Sequence, residues 1–141
     1  MPEMTTPEAL AFIAEAPRTA KLAFTRPNGQ PVVLPVWIAV DGDTIVFNTG
    51  ETTAKGRAIK REPRIAICVD DDQPPFSFAT IEGTAELIDD LDEVRHWAAI
   101  IGGRYMGAER ADEFGDRNGV PGELLVRLTP TRVIGFRDMA D

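Results

Sequence analysis

The apolar and polar positions of the chain alternate in short runs that predict mostly β-strands. TAKLAFT, QPVVLPVWIAV and TIVFNTG carry apolar side chains at strand-like spacing, and Pro27-Asn28-Gly29 and Asp41-Gly42-Asp43 mark tight turns between them. We therefore predict a meander of three antiparallel strands over residues 19–49. Further strands are predicted at RIAICVD, at FSFATIEGTAELI with a bulge at Gly83, and at the two closing segments ELLVRLTP and TRVIGF.

Helical spacing occurs before the first strand and in two stretches between later strands. A first helix is predicted to begin at Thr6-Pro7-Glu8, with the proline at its first position, and to end at Pro17. Its predicted core residues are Leu10, Phe12 and Ile13. A second helix is predicted over 52–61 and a longer one over about 90–105. The glycine-rich stretch 102–122 is predicted to be a mobile loop.

Six or seven antiparallel strands with short flanking helices predict a mainly β, α+β fold, specifically a closed or split antiparallel β-barrel. A parallel, doubly wound sheet is not expected, because the strands follow one another through tight turns instead of crossover helices. With 141 residues the chain is long enough for a real core, and we predict a single domain over residues 1–141.

Charge and cysteine content limit the classes of ligand. The chain has 15 Lys+Arg, 23 Asp+Glu and a formal net charge of −8, so neither a nucleic acid nor an anionic membrane is expected as a partner. Cys68 is the only cysteine, and its strand-like surroundings predict a buried, unreactive thiol. The sequence shows no secretory signal and no apolar run of transmembrane length, so we expect a cytoplasmic protein.

Positive charge is concentrated in one segment, NTGETTAKGRAIKREPR. On a helical wheel of the second helix, the residues predicted to face the core are Ala54, Ala58 and Ile59. Those predicted to face solvent are Arg57, Lys60 and Arg61. Lys55 falls on the inward side, in the first turn, and a lysine there needs an anionic partner or a route to water.

The start of that helix is a candidate anion site. Unpaired backbone N–H groups gather at a helix N-terminus and attract phosphate groups. Thr49, Thr52 and Thr53 add hydroxyl groups just before the helix, and Gly50 allows close approach of the backbone. One threonine is expected to cap the helix in any case. Anion binding and a purely structural helix start both fit TGETTAK, since no phosphate-loop signature covers it.

The other candidate residues are interpreted as structural. His96 is adjacent to Trp97 on the long helix and is interpreted as structural. Asp70-Asp71-Asp72 lacks the spacing of a calcium loop and is interpreted as a solvated turn. Trp37 and the two phenylalanines of PPFSF are interpreted as core or pocket walls. The sequence has no Ser/His/Asp arrangement and no metal-ligand spacing, so hydrolysis and a metal site are not indicated.

Taken in order, NGQPVVLPVW, IVFNTG, TTAKGRAIKREPRIAICVDD and PPFSFATIEGTAEL resemble the pyridoxamine 5′-phosphate oxidase-like superfamily of FMN- and F420-binding split barrels. The resemblance covers about residues 8–137 and is greatest to the F420-dependent, or deazaflavin, branch. In that superfamily two protomers hold the cofactor in the groove between their barrels. The resemblance therefore implies a homodimer with cofactor sites at its interface.

The resemblance also implies a set of cofactor-binding residues. Lys55 would contact the cofactor phosphate, Thr49, Gly50 and Thr53 would line the same place, and Arg57 would lie nearby. The residues that match the strands along the tricyclic ring are Leu34, Pro35, Val36, Trp37 and Asn48. Those that match a segment reaching the partner's site are Phe76, Ser77 and Phe78. The substrate pocket would be built from residues 102–122 and the partner chain.

Two departures from the family pattern bear on function. Ala54 stands where the true oxidases usually carry arginine before the phosphate-binding lysine, and the C-terminus GFRDMAD lacks their arginine-containing motif. Both argue against pyridoxamine-phosphate oxidation and weaken the choice of FMN. The expected function is an F420-dependent oxidoreductase that transfers a hydride between the deazaflavin and a small organic substrate. An FMN-binding reductase or oxidase, or a non-catalytic flavin or deazaflavin carrier, are the alternatives.

No catalytic side chain is assigned from the sequence. The cofactor would perform the redox chemistry, so the protein needs no nucleophile. Bound water, Tyr105 and His96 are candidate proton donors, with none preferred.

Overall fold

Seven antiparallel strands form one hydrogen-bonded sheet in the computed structural model, which describes residues 3–141. The strands are β1 (Ala20–Thr25), β2 (Pro31–Val36), β3 (Ala39–Asp41), β4 (Thr44–Gly50), β5 (Arg64–Asp71), β6 (Ser77–Ile88) and β7 (Glu123–Phe136). The helices are α1 (Thr6–Glu15), α2 (Ala54–Arg61), α3 (Leu91–Met106) and α4 (Ala111–Asn118), with a short 3₁₀ turn at Ala108–Arg110. This confirms the predicted mainly β, α+β fold and the upper end of the predicted strand number.

The order of strands in the sheet is β2-β1-β5-β6-β7-β4-β3. The two edge strands, β2 and β3, are therefore neighbours in sequence, joined only by Trp37 and Ile38. A linker this short spans at most about 10 Å, so the sheet must curl until its edges meet at that end. Within residues 3–141 the two edges exchange no ladder pairing, and the barrel stays split between them.

The predicted meander over residues 19–49 is wrong. Those residues form two hairpins, β1–β2 and β3–β4, which lie at opposite edges of the sheet. The apolar run QPVVLPVWIAV breaks at Trp37, because the backbone N–H of Ile38 donates to the Tyr105 hydroxyl (3.2 Å) and not to a neighbouring strand. One predicted strand thus becomes two.

The closing segments form one continuous strand. β7 runs through Pro130, and its pairing with β6 shifts register between Glu82 and Gly83. The irregularity lies where it was predicted, but the extra residue is Thr131 on β7, since Glu82 pairs with Arg132 and Gly83 with Pro130. Proline and a bulge at this point explain why the sequence indicates two strands.

The prediction of a mobile loop over 102–122 is also wrong. α3 continues to Met106, and α4 packs along it through several close approaches at glycines. A Cβ added to Gly102 would lie 2.2 Å from the Cβ of Phe114, and one added to Gly115 would lie 3.1 Å from the Cβ of Ala99. Glycine marks tight helix packing here, whereas in the sequence it suggests a loop.

The helix starts follow standard capping chemistry. Thr5 and Glu8 form a capping box at α1, which moves Pro7 to the second helical position instead of the first. The predicted core residues of α1 are all buried, with exposed fractions of 9% or less: Leu10, Phe12 and Ile13. Arg104 of α3 fixes the other end of α1, because its guanidinium donates to the carbonyls of Ile13, Ala14 and Ala16.

Two apolar clusters hold the sheet. The larger fills the barrel and includes Leu22, Phe47 and Ile81, while the smaller lies beneath α3 and includes Val94 and Leu125. The expected burial of Cys68 is only partial, since its side chain is half-exposed on β5. No helix within residues 3–141 combines the length and apolarity needed to cross a membrane.

Candidate functional site

The N-terminus of α2 lies against the end of β4. Thr53 is the capping residue: its hydroxyl accepts from the Gly56 N–H (3.0 Å) and donates to the Gly50 carbonyl (2.8 Å). Thr49 is buried at 3% exposure, with its hydroxyl 3.4 Å from that of Thr53. The predicted threonine cap is therefore present.

Gly56 is required by the close approach of α2 to β4. A Cβ at this position would lie 2.1 Å from the carbonyl oxygen of Gly50, which cannot move without distorting β4. We therefore expect Gly56→Ala to lower the free energy of unfolding by about 1–2 kcal/mol, although alanine normally favours a helix. Thermal unfolding of the variant measures this. Arg57→Ala, at the next position of α2 but on its exposed face, is the control, and equal melting temperatures for both variants would contradict the expectation.

The structure separates Lys55 from the other cations of α2. Arg57, Lys60 and Arg61 are exposed, whereas Lys55 is half-buried and takes part in none of the ion pairs formed by residues 3–141. Ala58 and Ile59 are buried as predicted, but Ala54 is exposed, and Gly56 takes its place against β4. Burial lowers the pKa of the Lys55 amine, and the negative charge of Glu123 partly offsets that effect.

Glu123 is a residue that sequence reasoning missed. It begins β7 and pairs with Gly50, which brings its side chain to the start of α2. Burial raises the pKa of the Glu123 carboxyl group, and the positive charge of Lys55 opposes this rise. Nothing in the sequence pattern indicates this placement, because it depends on strand pairing across more than seventy positions of chain.

A cavity of about 290 Å³ opens beside Lys55. The residues predicted for the cofactor site that line it are Pro35, Val36, Trp37, Asn48 and Lys55. The opposite wall comes from α3 and α4, through Ala98, Ile101, Gly102 and Asn118. Gly102 and Asn118 fall within the segment 102–122 that was predicted to build a pocket, although that segment is helical.

The other residues of this chain predicted to bind the cofactor do not line the cavity. Leu34 is half-buried and packs against the barrel core, so its side chain is not part of the cavity lining. Arg57 is exposed on the outer face of α2. Thr49, Gly50 and Thr53 support the helix start beside the cavity and do not line it themselves.

Trp37 is the aromatic residue of the cavity lining, and two further rings pack against it. Its indole stacks on Tyr105 with ring centroids 5.2 Å apart and meets Phe114 edge-on at 5.7 Å. The Tyr105 hydroxyl donates to the carbonyl of Arg18 (2.8 Å) and accepts from Ile38 N–H, so both its bonding directions are occupied by backbone. Trp37 keeps 36% of its surface exposed and offers an aromatic face to a ligand.

Two other sequence candidates lie away from this cavity. His96 is exposed, lies beside Trp97 and lines a separate cavity between α3 and α4 with Arg95 and Asp116. The aspartate run at the end of β5 forms ion pairs, with Asp70 on Lys21 at 2.8 Å and Asp71 on Arg18 at 3.5 Å. Residues 3–141 contain no cluster of three or more candidate metal ligands.

The segment predicted to reach a partner's site is well fixed in this chain. Phe76 has a positive φ of 64° and is 40% exposed, Ser77 is buried and accepts from the Asp138 N–H at 2.9 Å, and Phe78 packs on Phe136. None of these residues lines the Lys55 cavity of the same chain. Their assignment to a partner's cofactor site stays a prediction.

These features define a split β-barrel with a cationic cavity at the start of a helix. The model of the pyridoxamine 5′-phosphate oxidase family matches residues 5–136, and the chain therefore belongs to that family. The resemblance found in the sequence is thus confirmed. No curated protein matches the chain in a sequence comparison.

Solved structures share the fold over almost the whole chain. A conserved hypothetical protein of Mycobacterium tuberculosis has a TM-score of 0.84 at 24% identity, over 98% of this chain and 89% of that one. An F420 reductase has a TM-score of 0.68 at 27% identity, over 87% and 94%. A FAD-binding protein of Mesorhizobium loti has a TM-score of 0.70 at 16% identity, over 95% and 93%. Family membership and these neighbours indicate a flavin- or deazaflavin-binding oxidoreductase.

The residues present fit a cofactor that carries phosphate. Lys55 offers a half-buried amine that no carboxylate of residues 3–141 neutralises by direct contact. The first turn of α2 adds backbone N–H groups that lack intrahelical acceptors. The adjoining cavity has an aromatic wall and an amide, Asn48, as a planar ring with polar edges requires.

Proposed function

We propose that this protein is an F420-dependent oxidoreductase that transfers a hydride between the deazaflavin and a small organic substrate. The observation that carries the proposal is Lys55: a half-buried, unpaired lysine at a helix N-terminus that faces a cavity with an aromatic wall. The F420 reductase among the structural neighbours, at 27% identity, supports the deazaflavin. Ala54, in place of the arginine expected in an oxidase of pyridoxamine phosphate, supports it as well.

The bound deazaflavin supplies the hydride chemistry, and the chain's own residues hold and shield it. Lys55 and the first turn of α2 would bind the phosphate. Pro35, Val36 and Trp37 would lie along the ring system, with Asn48 at its polar edge. Ala98 and Ile101 of α3 are buried and would exclude water from the opposite side of the cavity.

The geometry narrows the candidate proton donors. The Tyr105 hydroxyl is already donating to the Arg18 carbonyl, and His96 lines a different cavity. Of the three candidate proton donors, this leaves bound water. In this proposal the protein therefore determines orientation and access, and no side chain of this chain exchanges a proton with the substrate.

The proposal includes a homodimer. The cavity of one chain measures about 290 Å³, just below the roughly 300–1,000 Å³ that small-molecule sites occupy. Phe76, directly before β6, exposes 40% of its surface and has a positive φ of 64°. A second chain that places Phe76, Ser77 and Phe78 over the cavity would complete the site, as the family resemblance implies.

Titration of the purified protein with F420 and with FMN tests the proposal. We expect saturable binding of F420, weaker binding of FMN, and oxidation of reduced F420 when enones or quinones are supplied. Tight FMN binding without F420 binding would instead support an FMN-dependent reductase or oxidase of the same fold. F420 binding with no turnover across a broad panel of electron-poor substrates would support a cofactor carrier.

A further inference from the structure

Glu123 begins β7 and lies near the same helix start as Lys55. A Cβ built on Gly50 would be 3.8 Å from Glu123 Oε1 and 2.9 Å from Thr53 Cγ2, so the carboxylate lies next to the cap of α2. The pairing of Gly50 with Glu123 fixes this position, because it belongs to the ladder between β4 and β7. An anionic side chain of the protein therefore already occupies the region where a ligand phosphate would be attracted.

Glu123 and Lys55 interact through space without forming an ion pair. Each charge opposes the effect of burial on the pKa of the other, but their side chains make no direct contact of salt-bridge length. Lys55 therefore keeps its donors for a ligand, while the local charge of the pair is close to zero. The exposed cations of α2 do not compensate, since Arg57, Lys60 and Arg61 lie on the outer face.

The charge of a bound phosphate depends on its chemical class. A phosphate monoester, such as that of FMN, carries about −1.5 to −2 near pH 7. A phosphodiester, such as that of F420, has no second ionisable oxygen and carries a single negative charge. A site whose lysine is opposed by a nearby carboxylate repels the additional charge of the monoester.

We infer that Glu123 is a specificity-determining residue, which makes the site prefer a singly charged phosphodiester to a doubly charged phosphate monoester. The inference rests on the proposed function, since it takes the phosphate to lie beside Lys55. It adds a reason, within this chain, why a deazaflavin phosphodiester would be bound in preference to FMN. Glu123 acts here through charge and needs no direct contact with the cofactor.

The test compares three flavins that differ only in the phosphate, together with F420. Dissociation constants are measured for FMN, for the methyl phosphodiester of FMN, for riboflavin and for F420, with the wild-type protein and with Glu123→Gln. Glutamine keeps the size of the side chain and removes its charge. Glu51→Gln is the matched control, because Glu51 follows Gly50 directly but is exposed and has the same charge.

The repulsion energy is proportional to the charge of the ligand. Removing the repulsion should therefore change the dissociation constant of a dianion by about the square of the fold-change for a monoanion. We expect Glu123→Gln to tighten FMN about ten-fold and both phosphodiesters about three-fold, with riboflavin unchanged. The difference should shrink in high salt. Glu51→Gln should change the ratio between the dissociation constants of FMN and its methyl ester by less than about two-fold. Melting curves of both variants confirm that the fold is retained.

The outcomes separate the two proposals. If F420 binds but Glu123→Gln leaves the ratio of FMN to its methyl ester unchanged, the role of Glu123 is wrong and the proposed function stands. If Glu51→Gln shifts that ratio as much as Glu123→Gln does, the loss of any nearby negative charge has the same effect, and the inference is again wrong. If neither F420 nor any flavin phosphate binds either form, both proposals are overturned together.

Discussion

Lys55→Met should weaken F420 binding by about ten- to a hundred-fold, whereas Lys60→Met should change it by less than two-fold. Methionine keeps most of the length of lysine and removes the charge, so the loss reports a charge-assisted contact with the phosphate. Lys60 lies on the same helix, five positions away, with its side chain exposed. Dissociation constants from fluorescence titration compare the two variants, and equal losses would show that the division of the α2 cations is wrong.

The same variant separates a binding role from a structural one. Burial lowers the pKa of Lys55, which means that the folded protein disfavours its charged form. We therefore expect Lys55→Met to leave the melting temperature of the cofactor-free protein unchanged or higher, while the gain in melting temperature on adding F420 largely disappears. A lower melting temperature without cofactor would assign Lys55 a structural role at the start of α2.

Gly102→Ala should cause a large loss of stability, greater than that of Gly103→Ala in the next position of α3. The added Cβ would lie 2.2 Å from the Cβ and 2.6 Å from the Cγ of Phe114, so α4 must move away from α3. We expect a loss of about 3 kcal/mol and a melting temperature lower by roughly 5–10 °C. Because Gly102 and Asn118 both line the Lys55 cavity, cofactor binding should weaken as well.

Gly103→Ala is the matched control for that substitution. It adds the same atom to the next residue of α3, but the nearest contact is 3.2 Å, to the Cβ of Ala111. The loss of stability should therefore be smaller, and the cavity should be unaffected. If Gly103→Ala destabilises the protein as much as Gly102→Ala, the tight contact with Phe114 does not determine how α4 is held.

The elements predicted correctly depend on local signals. The turn at Asn28-Gly29 fixes the β1–β2 hairpin, and Pro63 sets the predicted end of α2 at Arg61. The start of α2 lies at Ala54, two residues after the predicted start, because Thr53 is the capping residue. The inward position of Lys55 also followed from a local property, its angle on the helical wheel. Each of these features is determined by residues within a few positions of one another.

The incorrect predictions involve contacts between distant parts of the chain. The split between β2 and β3 depends on Tyr105, which bonds to Ile38 from 67 positions away. The helix α4 is held by glycines that a sequence pattern assigns to loops, because only the neighbouring helix shows why a side chain would not fit. Glu123 reaches the site through strand pairing, and no local pattern predicts its partner.

The strand order has a consequence for how the protein acquires its site during synthesis. β4 carries Asn48 and supports α2, yet its neighbour in the sheet is β7, the last strand of the chain. Until β7 leaves the ribosome, the β3–β4 hairpin has an unpaired edge and the wall that holds Lys55 lacks its neighbour. A nascent chain that ends before residue 123 therefore lacks the strand that supports this wall, and we expect cofactor capture only after β7 has been synthesised.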